Sequence, residues 1–400
     1  MVERLVANEK VEGSTPFARS KIMLKLCVEG WRKINHSYAL VNQRQLIELS
    51  KFPIDIKHQD VPYYNKNWNE KENFNGFSER DNKIIENFNH PKEGEKFDVT
   101  YRISFPYNFK KSNSEKLFVF GTAEFQNIDG HYINENSKEK IFFDKLNIIT
   151  TSNWSKEGFI KAGFKGDKVH IVPCGVDQNI FYPIDKKKIN EIKIKLGANS
   201  ETFIISSVGA MTENKGIDYL LAAFFVLKEK YKNIKLILKD QSNLYNIKPQ
   251  VYLNKLKKTK YNKFIKNDFL KDIIFISRNM SLSMLNELYN ISDCYVSSYR
   301  AEGFGITPLE AAASGTPIIV TRGGSTDDYF NSKLGLQIES QIVKNNNLTS
   351  LKPSVDSLIS CVISVMNNPK IFDQNEGLKY IRDKFTWQKA SDKLYRIFLA

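Results

Sequence analysis

Between residues 202 and 321 the chain alternates short apolar runs, rich in Ile and Val, with longer amphipathic stretches, and this alternation restricts the fold more than any other feature. Thr202–Val208, Ile234–Lys239, Ile273–Ser277, Cys294–Ser298 and Pro317–Thr321 read as strands. Gly216–Tyr231, Ser281–Ile291 and Thr307–Ser314 read as helices between them, with Ser325–Phe330 as a short one. A strand without polar alternation has to be covered on both faces, as in a parallel sheet between two helix layers. Repeated strand–helix units of this kind predict a doubly wound α/β domain. No internal repeat period is visible, which argues against solenoids and propellers.

The first half predicts the same class with weaker signals. Ile22–Val28 is an apolar run ending at Gly30, and a helical stretch, Tyr38–Leu49, follows it. Residues 60–95 are polar and aromatic with many Asn, and read as long loops or an insertion. Leu117–Phe120, Asn147–Thr151 and Val169–Val172 read as strands, and Ser152–Ala162 as a helix with Ser152 as its cap. At about 100–200 residues per domain, a chain of 400 residues predicts two or three domains. The linker is expected near Phe181–Lys188, where Pro183 and a basic run break the pattern, giving domains over 22–183 and 184–383. Residues 384–400 close the chain with an amphipathic helix anchored by Trp387, Leu394 and Ile397. Residues 1–21 give neither a clean strand nor a clean helix. Gly13-Ser14-Thr15-Pro16 can be encoded by a string matching the T-arm consensus of a tRNA gene. The stretch is therefore expected to be a disordered or spurious extension, with Met23 the true start.

Lys and Arg number 59 and Asp and Glu 45, a formal charge of +14. That excludes an acidic, solvating protein and favours anionic partners: phosphates, nucleic acid or an acidic membrane face. Abundant Lys, Asn and Ile also fit AT-rich codon usage. Cys27, Cys174, Cys294 and Cys361 stand apart with no C-x-x-C, and read as reduced thiols of a cytoplasmic protein. No run approaches the ~20 apolar residues of a membrane span. The first twenty residues lack an apolar leader core. The basic run Lys255–Lys271 reads as a solvated helical face or, more sharply, as a docking site for an anionic membrane.

Three stretches carry chemistry. In the first, Glu302-Gly303-Phe304-Gly305-Ile306-Thr307-Pro308-Leu309-Glu310 follows a strand and enters a helix. Its glycines allow a close backbone approach, and Pro308 suits a first helical turn. The helix end offers free N–H groups to a phosphate. Glu302 can accept hydrogen bonds from sugar hydroxyls, and Glu310 suits a ribose diol; the plainer reading is a helix start with Glu310 capping or in solvent. A dinucleotide fingerprint is rejected, because Pro308 stands where its third glycine belongs. In the second stretch, Ser207 to Gly216, Lys215 lies at a helix start where its ammonium can meet a diphosphate; the Gly-Lys-Ser/Thr ending of a P-loop is missing. The third, Val172-Pro173-Cys174-Gly175-Val176-Asp177, reads alone only as a turn leaving a strand.

In this order, VPCGVD, VGAMTENKGIDYLLAAF and EGFGITPLEAAASGTPII, the stretches resemble the retaining glycosyltransferases of family 4, the group 1 glycosyl transferases. The resemblance covers roughly residues 145–400, and Phe385-Thr386-Trp387 resembles the family's closing helix. EGWRKINHSYALVNQRQL resembles, more weakly, the start of one bacterial branch. The resemblance implies a GT-B fold: two Rossmann-like domains face a cleft, and the last helix returns to the first domain. It implies a nucleotide-diphosphate sugar on the second domain, a glycan or lipid-linked acceptor on the first, and no metal or other cofactor. By position, Glu302 resembles the carboxylate beside the donor sugar, and Gly303, Phe304, Gly305, Ile306 and Thr307 the loop that holds sugar and phosphate. Glu310 resembles the ribose ligand and Lys215 the diphosphate ligand, while Arg278, Asn279 and Met280 fall where the family's backbone meets the base.

Two departures stand out. The family often carries an arginine five residues before the lysine, where this chain has Ala210; Lys239 or Arg300 could supply the missing phosphate contact. Many members place a histidine where Thr122-Ala123-Glu124 stands, so Glu124 is a candidate for a hydroxyl contact. After the first strand, His36 is a candidate catalytic residue that, like Arg32, could contact the acceptor or a phosphate; Gly30, Arg32 and Ser37 are candidates on the acceptor side, and Tyr63, Tyr64 and Trp68 could stack on an acceptor sugar. No D-x-D occurs, which fits a metal-independent reaction. The rival readings are an inactive nucleotide-sugar binder, for which Ala210 and Glu124 argue, and a GT-B sugar-nucleotide epimerase. A nucleic-acid partner rests on charge alone and is not expected.

Overall fold

The computed structural model describes residues 23–128, 133, 146–368 and 372–400. The expectation about residues 1–21 lies outside them. Among the described residues twelve strands form two six-stranded sheets, parallel throughout. The first contains β1 (Leu24–Gly30), β2 (Ile54–Asp60), β3 (Phe97–Ile103), β4 (Ser114–Phe120), β5 (Leu146–Thr150) and β6 (Val169–Ile171), in the order β2-β1-β3-β4-β5-β6. The second contains β7 (Phe203–Val208), β8 (Ile234–Lys239), β9 (Ile273–Ile276), β10 (Cys294–Ser297), β11 (Ile318–Thr321) and β12 (Gly335–Ile338), in the order β12-β11-β10-β7-β8-β9. Ile204, Ile205, Leu236, Ile237, Leu238, Val296, Ile318 and Ile319 are fully buried, as strands covered on both faces require.

In each sheet the chain winds outward one way and then returns to wind the other. The reversal falls between β1 and β3 in the first sheet and between β7 and β10 in the second. Such switch points open a crevice beyond the carboxyl ends of the strands. Helix Ser37–Leu49 follows β1, and helices Ile217–Lys230 and Ile306–Ala313 follow β7 and β10.

Several elements escape the sequence reading. β3 is polar on alternate residues and β2 ends in four polar ones, Lys57 to Asp60; Arg102 of β3 is buried because Glu29 accepts from its Nε at 2.6 Å. Helix Glu79–Glu86 lies inside the stretch read as loops. The basic run Lys255–Lys271 is not one helix: it breaks into short turns over Gln250–Leu256, Lys260–Phe264 and Asn267–Leu270. An antiparallel hairpin, β13 (Ser340–Asn345) with β14 (Leu348–Pro353), leans on the first domain, where Thr349 N–H donates to the Phe125 carbonyl at 2.8 Å.

The last helix, Trp387–Leu399, packs on the first domain: Phe398 meets Phe118 and Tyr101, and Tyr395 meets Phe52. Where the chain crosses back, Val176 N–H donates to the Phe385 carbonyl at 2.9 Å. A Cβ on Gly175 would stand 2.2 Å from the Thr386 carbonyl carbon, so only glycine fits the VPCGVD turn. Among the described residues no helix is long and apolar enough to cross a membrane.

Candidate active site

The two switch points face one another across a cleft of ≈ 580 Å³. On the second-domain side, the turn after β7 carries Lys215 and the loop after β10 carries Glu302. The turn after β7 is tight because Gly216 sits at φ 63° with its Cβ direction against the Ser298 carbonyl, whose neighbouring hydroxyl donates back to the Gly216 carbonyl at 2.9 Å. That packing sets Lys215 beside Glu302, and the two form an ion pair within hydrogen-bonding reach. Burial opposes the Lys215 charge, but Glu302 and Glu124 together outweigh it and hold the ammonium above the usual lysine range.

Behind this pair, helix Ile306–Ala313 starts at Gly305, which has φ 86° and offers no side-chain cap. Gly305 is held from behind by the Tyr329 hydroxyl, which donates to its carbonyl at 2.9 Å. Gly303, Phe304, Gly305, Ile306 and Thr307 all line the cleft, and Thr307 accepts from the Tyr295 hydroxyl at 2.8 Å. Glu310 is buried at 5% exposure and accepts from the Tyr289 hydroxyl at 2.9 Å. Burial pushes its carboxyl up to about 7, against the Tyr289 hydrogen bond.

Ala210 lines the cleft and contributes no charge. Of the two cations considered in its stead, Lys239 lines the cleft, donates to the Asp240 carbonyl, and is lowered by burial to about 8. Arg300 faces away: both terminal nitrogens bind Asp218, at 2.8 and 2.6 Å, and the guanidinium lies over Tyr219. Arg278 is exposed and absent from the lining; Asn279 is turned aside to the Glu72 carbonyl; only Met280 of these three reaches the cleft.

The first-domain wall is mainly aromatic: Trp31, His36, Tyr38, Tyr64, Trp68 and Tyr107 line it. His36 caps helix Ser37–Leu49, its Nδ1 accepting from Tyr38 N–H at 3.1 Å. Burial between Trp31 and Trp68 drops its pKa to about 3, so it is neutral. Ser37 lies exposed at the cleft edge. Arg32 and Gly30 are not brought to the cleft. Arg32 turns back to Asp60 (2.8 and 2.5 Å) and the Ile85 carbonyl, and Gly30 is pressed against Ile103 and Asn42. Tyr63 donates to the Arg32 carbonyl and likewise lies outside.

Glu124, on the loop after β4, crosses the cleft: its Oε2 accepts from Asn214 Nδ2 at 2.9 Å. Around it the domains touch closely. Thr151 and Ser152 hydroxyls donate to the Gly303 carbonyl at 2.9 and 2.7 Å, and a Cβ on Gly303 would stand 2.6 Å from Thr122. At the other end, Trp68 Nε1–H donates to the Leu244 carbonyl at 2.8 Å. Thr151 and Tyr245 come from positions with no motif of their own, while Thr122 and Asn214 stand beside Glu124 and Lys215 in stretches the sequence singles out without giving these two a role. Among the described residues no group of three or more His, Cys, Asp or Glu side chains could hold a metal ion.

The profile of the family "Glycosyl transferases group 1" matches residues 188–373. Mannosylfructose-phosphate synthase of Agrobacterium fabrum is 32% identical over 233 residues, covering 58% of this chain and 48% of that protein. The capsular polysaccharide biosynthesis glycosyltransferase CapM of Staphylococcus aureus is 24% identical over 279 residues, covering 65% of this chain and 64% of that one. The chain thus spans about half to two thirds of the length of these relatives. Among solved structures, sucrose-phosphate synthase from Thermosynechococcus elongatus superposes with a TM-score of 0.67 at 14% identity, covering 94% of this chain and 98% of that one. Anabaena HepE in complex with UDP and glucose superposes with a TM-score of 0.63 at 12% identity, covering 94% and 100%. These likenesses establish the GT-B architecture of two facing α/β domains.

Proposed function

We propose that this chain, a member of the group 1 glycosyl transferases, moves a sugar from a nucleotide-diphosphate donor to an acceptor hydroxyl with retention at the anomeric carbon. The observation that carries the reading is the convergence, at facing switch points, of Lys215, Glu302, Glu310 and an uncapped helix start in one cleft. The neighbour solved with UDP and glucose supports a nucleotide-sugar donor, and CapM, named for capsular polysaccharide biosynthesis, supports a glycan acceptor, free or lipid-linked in this reading.

In this reading Glu310 accepts the ribose diol. Lys215, with the N–H groups at the start of helix Ile306–Ala313, holds the diphosphate as its charge grows in the transition state. Glu302 accepts from the sugar hydroxyls. The bond from the anomeric carbon to the diphosphate breaks, the acceptor oxygen bonds to the same face, and its proton passes to the departing phosphate oxygen. In this reading Lys215 and the helix N–H groups serve the diphosphate without a metal. Contacts at Gly303 and Trp68 close the domains and keep water from the sugar. In this reading the reaction runs in the cytoplasm, and the exposed lysines near Lys257 and Lys260 support a turn toward an anionic membrane face.

The test is thermal melting against UDP, GDP, ADP, dTDP and CMP, followed by detection of free nucleoside diphosphate on turnover. At ~100 times its dissociation constant a ligand adds about 2.7 kcal/mol, a clear shift. One diphosphate should shift wild type but neither Lys215→Ala nor Glu310→Ala. Binding without turnover would favour the inactive binder, which Ala210 in place of a phosphate-binding cation supports.

A further inference from the structure

Glu124 is the single carboxylate that the described first-domain residues put into the cleft. It meets Lys215 and Glu302 there, so two carboxylates and one ammonium converge from two domains. The carboxylates are not equivalent. Glu302 holds the direct ion pair with Lys215 and also accepts from Gly303 N–H at 3.2 Å. Glu124 is met at Oε2 by the neutral Asn214 amide, which is itself anchored to the Ala301 carbonyl. A sugar nucleotide brings two negative charges. Set against Lys215, they share its charge with the two carboxylates and add like charge beside both. The carboxylate without a direct cation yields first.

We propose, resting on the glycosyl-transfer reading above, that Glu124 takes up one proton from solvent when a nucleotide-diphosphate sugar binds. It then donates that O–H from Oε1 to the bound donor, while Oε2 keeps the Asn214 amide. Glu124 thereby positions the donor as a neutral acid, and its ionised form is an antagonist of donor binding.

The charges that line the cleft already lean this way. Burial raises the Glu124 carboxyl, Lys215 pulls it back and Glu302 raises it again, leaving it at about 7. The other titratable groups facing it are Tyr38 from helix Ser37–Leu49, Tyr107 after β3 and Tyr245 after β8. Burial lifts all three above the usual tyrosine range, so they stay neutral between pH 6 and 9. Two further cleft groups titrate near neutrality: Glu310 at about 7 and Lys239 at about 8. Glu310 acts on the acid side, where its protonation removes an acceptor from the diol. Lys239 is the rival on the alkaline side, since losing its charge would also weaken anion binding.

The experiment is calorimetric titration of wild type and Glu124→Gln with UDP-glucose, GDP-mannose and ADP-glucose at pH 7.0, 7.75 and 8.5, in two buffers of different ionisation enthalpy. Glutamine copies the shape and donor capacity of the neutral acid. Wild-type affinity for the donor that binds should fall about tenfold from pH 7 to 8.5. Close to one proton should be taken up per donor at pH 8.5. Glu124→Gln should lose both the pH dependence and the uptake, and at pH 8.5 bind about tenfold more tightly than wild type. A flat wild-type profile with no uptake overturns the proposal, and needs no variant. An alkaline loss that persists in Glu124→Gln assigns the effect to Lys239 and overturns it too. An equal loss of affinity in Glu124→Gln at every pH makes Glu124 an ordinary structural contact. If no sugar nucleotide binds at any pH, the glycosyl-transfer reading itself falls.

Discussion

The two walls of the cleft are built from similar sheets and carry opposite chemistry. The second domain presents Lys215, Lys239, Glu302 and Glu310 beside an open helix start. The first presents the rings of Trp31, His36, Tyr38, Tyr64, Trp68 and Tyr107, with Glu124 as its lone carboxylate among the described residues. A charged wall suits a diphosphate and a ribose; a ring-lined wall suits the apolar faces of a sugar, with hydroxyls of Thr122 and Tyr38 at its edge. Fold and ligand chemistry are thus separable: the winding supplies the crevice twice, and the loops decide what each side says to a ligand.

Substitutions on each wall break this comparison in different ways. Lys215→Ala strikes the charged wall and leaves Glu302 and Glu124 facing each other without their cation. Turnover should fall roughly 10²–10³-fold, as for loss of a transition-state electrostatic contact, and the melting shift with nucleoside diphosphate should vanish. Glu310→Gln tests the same wall through stability. Burial raises the Glu310 carboxyl to about 7, so the folded state holds that proton more tightly than the unfolded chain. The stability this gives is full below about pH 4.5 and is lost as pH rises through 7. The variant should therefore melt several degrees above wild type at pH 8 and level with it at pH 4, read by calorimetry across pH. On the ring-lined wall, Tyr64 is 56% exposed, so Tyr64→Ala should leave melting unchanged. Acceptor KM should rise several-fold while donor KM stays put; a change in donor KM alone would mean that the walls do not divide the substrates. Arg32→Ala, behind the ring-lined wall, should cost about 1–3 kcal/mol of stability by freeing Asp60 and the Ile85 carbonyl, with kcat/KM within twofold of wild type.

The same contrast governs what the sequence discloses. β7, β8 and β10 are legible because their strands are apolar on both faces and their loops follow at once, which brings Lys215 and Glu302 to the right end of the sheet. β2 and β3 are not, because their polar residues look like loop until their partners are known: Arg102 with Glu29, and Asp98 with the Lys25 amide. Arg32 and Gly30 sit four and six residues from the cleft-lining His36 yet face the sheet interior, a choice of direction that spacing along a loop does not encode. Glu124 was reached through a departure from a family pattern. Its setting against Asn214 depends on how two domains meet, which no local pattern states. Ala210 leaves a gap in charge that Arg300 does not fill, because Asp218 already claims both of its terminal nitrogens, a pairing across 82 residues that spacing does not disclose.

The helix Trp387–Leu399 lies on Phe118, Tyr101 and Phe52, all of which leave the ribosome before any of the second domain. During synthesis the first domain therefore carries an uncovered apolar groove until helix Trp387–Leu399 emerges. Emergence of that helix, rather than completion of the first sheet, is the moment at which this groove is covered. A nascent chain stalled between the two domains is a natural client for a holdase chaperone, and a C-terminal fusion that hinders docking of this helix would be felt first in yield, before any effect on the cleft.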